Sequence, residues 1–111
     1  MLKIATAAVG LIALPTIAAA QSKAELMVGW LDYSAGTITQ DLGVRNNGRL
    51  PIKAVKIGCR FFRDADQLHQ LGTGSAEIEN IVPDSAGYKT LRLESKTPAQ
   101  NASCHVISVK H

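Results

Sequence analysis

The sequence is short of the residues with which small domains usually carry their chemistry. Among 111 residues there are one Trp, two Tyr, two Phe, two Met, four Pro and only two Cys. A single cysteine pair, with no C-x-x-C spacing, excludes the four-cysteine zinc modules and the common thiol redox motif. Methionine is confined to Met1 and Met27, which removes the Met-rich pattern of a copper carrier. Charge of one sign is scarce as well. The 12 Lys and Arg stand against 9 Asp and Glu, a formal charge of +3. A dedicated nucleic-acid binder needs a concentrated basic patch to neutralise phosphates, so no nucleic-acid partner is expected. No G-x-S-x-G elbow and no P-loop occurs. Gly72-Thr73-Gly74-Ser75 lacks the third Gly, the Lys and the following helix of a phosphate loop. The paired acids Asp64/Asp66 and Glu77/Glu79 sit at i, i+2 and read as solvated surface. Neither a catalytic set nor a cofactor is expected.

The one long apolar run lies at the front. Met1-Leu2-Lys3 is a short positive segment, Ile4 to Leu14 is nearly all apolar, Pro15 breaks it, and Ala18-Ala19-Ala20 supplies small residues. This three-part order is that of a bacterial secretory signal peptide over residues 1–20. Gln21 to His111 then forms one mature domain, with no transmembrane segment after processing. Loss of Lys3 lowers the formal charge by one. The expected address is the periplasm or the medium.

That address gives Cys59 and Cys104 their first reading. In an oxidising compartment an even pair forms a disulfide. A free redox thiol or a metal pair is the alternative. The bridge closes a loop of about 45 residues, worth roughly 4 kcal/mol in the chain-entropy model.

The mature chain is punctuated into short segments of period two, the signature of strands. Leu26 to Tyr33 is the first, ending at the turn Ser34-Ala35-Gly36. In the second, Ile38, Gln40, Leu42 and Val44 share one face. Asn46-Asn47-Gly48 is a turn, and Pro51 favours an extended restart. In the third, Val55, Ile57, Cys59 and Phe61 face the core, opposite Lys56, Gly58, Arg60 and Phe62. Gly74 to Glu79 alternates again with Ala76 and Ile78 inward. Pro83 to Gly87 reads as a loop before a strand with Leu91 and Leu93 inward. Ala102 to Lys110 is ambiguous, since Cys104 and Val106 fall on one face and Ile107 and Val109 on the other. A bulge, or burial of both faces, reconciles them. No segment supports a helix of three turns. The fold class is a small all-β, Ig-like antiparallel β-sandwich of 6–7 strands with one disulfide.

The run Val44-Arg45-Asn46-Asn47-Gly48, Val55-Lys56-Ile57, Phe61-Phe62-Arg63-Asp64, Leu71-Gly72-Thr73-Gly74 and Ile78-Glu79-Asn80-Ile81-Val82-Pro83 has a recognisable order. It resembles the FxLYD-type bacterial extracytoplasmic immunoglobulin-like modules over about Ile38 to Val109. Asp84 stands where that family commonly has Gly, and the cysteine pair is not one of its hallmarks. The resemblance implies an Ig-like sandwich with an accessory or interaction role, and it carries over no catalytic residue.

Two groups point to binding. Trp30 and Tyr33 are aromatic in a chain nearly devoid of aromatics; a lone Trp is expected first as a core anchor and second as an interface residue. Arg45, Lys56, Arg60 and Arg92 are outward positions. Were their strands neighbours, one basic face would meet an acidic protein, an envelope polymer or a membrane surface. The leading expectation is thus a non-catalytic module that binds or supports another envelope protein or polymer. A small copper or zinc protein using His69, His105 and His111 is the alternative from another class, and a small enzyme inhibitor is a third.

Overall fold

The computed structural model describes residues 23–111; the signal peptide expected over residues 1–20 lies outside them. Among the described residues six strands follow one another: β1 (Ala24–Ser34), β2 (Thr37–Asn46), β3 (Ile52–Phe62), β4 (Gln70–Ile81), β5 (Ala86–Glu94) and β6 (Asn101–Lys110). They form two three-stranded sheets, in the orders β1-β2-β5 and β4-β3-β6, with every neighbouring pair antiparallel. The chain crosses to the second sheet at β3, returns at β5 and crosses again at β6. Such alternation between sheets is the connectivity of an Ig-like sandwich. No helix occurs among the described residues, and therefore none there is long and apolar enough to cross a membrane.

Alternation sets the core. Ile38, Leu42 and Val44 of β2 meet Val55, Ile57, Cys59 and Phe61 of β3, with Ile78 and Leu91 from the edges. β3 is the central strand of its sheet. The β1–β2 hairpin closes through Ala35 and Gly36, both at positive φ (51° and 78°), the geometry of a two-residue type I′ turn.

Three bulges decide where the alternation changes phase. In β6, Lys56 pairs with Ser108 but Ile57 pairs with Val106, so Ile107 is the extra residue. The ambiguity of that strand is thereby resolved as a bulge. Cys104, Val106 and Val109 all pack on the core, while Ile107 lies over Gly58 on the outer face. A second register shift ends the β3–β4 ladder, where Leu71 falls between the partners of Phe61 and Phe62. Phe62, expected outward, is buried there beneath Arg60, whose guanidinium stands 5.8 Å from the ring centroid. The third shift, in β1, builds the candidate site.

Two boundaries differ from the sequence reading. β4 starts at Gln70 rather than Gly74, because its glycines are paired backbone on the inner face. Gly74 lies against Leu91, where a Cβ would stand 2.7 Å from Cδ2. β5 begins at Ala86, within the expected loop, because Gly87 packs against Ile78 just as closely. These approaches close the sandwich along its β4–β5 side; β1 and β6 are the free edges on the other.

Cys59 and Cys104 form the disulfide. They are directly opposite residues of β3 and β6, with Cα atoms 4.0 Å apart. The bond therefore lies within one sheet and pins an edge strand to its centre, whereas the bridge of antibody domains joins two sheets.

Candidate interaction surface

The third bulge starts from a conflict of parity. Leu26 pairs with Val44 and packs on the core, and Val28, opposite Leu42, shares its parity though 50% exposed at the sheet edge, so an unbroken strand would turn Trp30 to the inner face too. The ladder instead jumps from Val28↔Leu42 to Leu31↔Gln40, leaving Gly29 and Trp30 opposite Asp41 alone. Leu31 and Tyr33 take over the inner face, and Trp30 is turned out, 83% exposed. This corrects the expectation that the lone Trp anchors the core.

Gln40 holds the bulge. It is almost fully buried, and its Nε2 donates to the carbonyls of Gly29 (3.1 Å), Trp30 (3.2 Å) and Asp41 (3.1 Å). A bulge loses ladder hydrogen bonds, and this side-chain amide supplies replacements from the core side. The exposed indole thus rests on a fixed backbone. Trp30, Leu31, Asp32, Thr39 and Asp41 line a shallow concavity of about 430 Å³ beside it. Asp41 is oriented by the Thr90 hydroxyl, which donates to its Oδ1 at 2.9 Å.

The same outer face carries a second aromatic that sequence reasoning missed. Tyr88 of β5 pairs with Gly43 and is 74% exposed. Its ring covers Gly43 so closely that a Cβ there would meet Cδ1 and Cε1 at 2.9 Å, and Met27 Cε closes in from the other strand. Gly43 opposite an aromatic is the signal that was available, since strand glycines are often covered in this way. Tyr33, by contrast, is structural: half-buried, its hydroxyl donates to the carbonyl of Ser95 at 2.9 Å.

The four outward cations do not form one face. Arg45 and Arg92 lie on the β1-β2-β5 sheet, while Lys56 and Arg60 lie on the β4-β3-β6 sheet, across the sandwich. Arg45 is opposite Glu25 and donates to Asn47 Oδ1 at 3.1 Å. The condition for a single basic face is not met, because the chain crosses between sheets after β2.

The histidines are also dispersed. His69 sits in the β3–β4 hairpin loop against Asp64, His105 on the outer face beside Gly58, and His111 next to the carbonyl of Pro51 (3.2 Å). Among the described residues no three His, Cys, Asp or Glu side chains gather as a metal would need. Asp64 is a loop organiser. Its Oδ1 accepts from the backbone N–H groups of Leu68 and His69, both at 3.1 Å. The hydrogen bond from the His69 ring, with these amides, holds its carboxyl down to about 2.

No protein-family model matches this chain, and no curated protein sequence is significantly similar to it.

Proposed function

We propose that this protein is a non-catalytic module of the bacterial periplasm or exterior that binds another cell-envelope protein or polymer through the outer face around Trp30. The carrying observation is the exposed indole on a bulge fixed by a buried Gln40. An exposed Trp is costly in water, and Trp and Tyr are the residues that dominate binding hot spots. Pre-organisation of the backbone beneath it lowers the ordering entropy lost on association. Tyr88 and Met27 extend the same face, and Asp32, Asp41 and Arg92 supply a polar rim. The resemblance to FxLYD-type modules supports the same reading. Asp84, in place of their common Gly, adopts φ 62°, the left-handed region that glycine favours and Asp tolerates.

The test is site-specific photo-crosslinking in the intact envelope. A crosslinker at position 30 should give a discrete adduct, and one at position 56 on the opposite face should not. Because Trp30 is the only Trp, partner binding should also shift the indole emission to shorter wavelength. Equal labelling from both positions, or none from position 30, overturns the proposal. So does a substrate turned over by the purified protein and lost on one side-chain change.

A further inference from the structure

A second exposed apolar feature lies at the end of the sandwich where β1 starts and β2 ends, away from Trp30. Leu50 and Val82 are 64% and 58% exposed, and with Pro51, Ile52, Lys53 and His111 they line a groove of about 430 Å³. Their loops are fixed from below by one buried residue. Asn46 Nδ2 donates to the carbonyls of Leu50 (2.9 Å) and Ile81 (3.0 Å), and its Oδ1 accepts from the N–H of Gly48 (2.9 Å). Its backbone N–H donates to Ser85 O and its carbonyl accepts from Asp84 N–H. Leu50 and Val82 are therefore held outward on rigid loops.

Charge is polarised toward the same end. Lys23, Arg45, Arg49, Lys53 and Lys110 lie there against Glu25, Glu79 and Asp84. At the far end Arg60, Arg63, Arg92 and Lys96 balance Asp32, Asp64, Asp66 and Glu94, and midway Lys56 and Lys89 balance Asp41 and Glu77. The whole positive surplus of the described chain thus lies at the end of the sandwich that holds the apolar groove, with Lys53 in the groove itself. Lys23 itself is tied to this end, its carbonyl accepting from Asn47 N–H at 2.7 Å.

We infer that this end docks on an anionic phospholipid surface, with Leu50 and Val82 entering the headgroup boundary and Lys53, Arg49 and Lys110 meeting lipid phosphates. Apolar tips ringed by basic side chains bind such surfaces by adding buried area to electrostatic attraction. The surface is separate from the Trp30 face and does not depend on it.

The test is co-flotation of the chain from Gln21, which contains the complete described sandwich, with vesicles of phosphatidylglycerol in phosphatidylcholine or of phosphatidylcholine alone. At low salt, binding to the anionic vesicles should be roughly ten- to thirty-fold tighter, from about five-fold per surplus cation. Lys53→Glu should remove most of that preference, and Leu50→Ser should weaken binding to the anionic vesicles, with circular dichroism unchanged in both. Trp30→Ala should leave flotation intact, which separates a failure here from a failure of the Trp30 reading. Equal binding to both vesicles, no flotation with either, or full binding by Leu50→Ser overturns the inference.

Discussion

Gln40 offers the sharpest perturbation, because one side chain links stability to the presentation of Trp30. Its Nε2 carries two hydrogens and faces three carbonyls at 3.1–3.2 Å, one of them shared. Two net hydrogen bonds at about 1–1.5 kcal/mol each give about 2–3 kcal/mol for Gln40→Leu. At roughly 4–8 °C per kcal/mol for a domain of this size, the melting temperature should fall by roughly 8–24 °C. Gln40→Glu is the discriminating variant. It keeps size and shape but replaces the donor with an ionised acceptor aimed at three oxygens, so at neutral pH it should lose more than Gln40→Leu. Burial and the carbonyls raise the folded-state pKa of that carboxyl above its unfolded value. The variant is then least destabilised below the unfolded pKa, about 4.3, and loses stability as pH rises through the folded one. Thermal melts across pH, with Trp30 anisotropy as a second readout, check this. A Gln40→Glu protein as stable as the wild type at neutral pH, with unchanged anisotropy, would refute the role assigned to the amide.

Removing the disulfide as the pair Cys59→Ala and Cys104→Ala should cost roughly 4 kcal/mol, the closure entropy of a loop with sequence separation 45. Denaturant melts read it, and amide exchange should show β6 fraying first, since the bond pins that edge strand to β3. The Asp64 carboxyl is held at about 2, below its ordinary value. Its contribution to the hairpin loop is fully present above the unfolded pKa of about 3.9 and is lost as pH falls through about 2. An NMR titration of the Leu68 and His69 amides should therefore show a midpoint near 2, and Asp64→Asn should abolish it.

How far the sequence reached depended on the range of the forces involved. Period-two alternation is a local property of an extended chain, so Ile38 to Val44 and Val55 to Phe61 could be assigned to inner faces without a partner strand. Turn chemistry is local too, which is why Ser34-Ala35-Gly36 and Asn46-Asn47-Gly48 were legible. The cysteine pair needed only the expected compartment. Trp30 was misread because its orientation is set by a two-for-one pairing with Asp41, and that exists only once β1 lies on β2. The four cations were grouped by parity, but parity fixes a face within a sheet and not which sheet a strand joins. That assignment came from the crossovers at β3, β5 and β6, whose reward is burial between strands distant in sequence. Strand content, turns and the disulfide were thus written in the chain; which side chains are turned outward at Trp30 and at the Leu50 end was decided by strand bulges and two buried amides, Gln40 and Asn46, acting across strands.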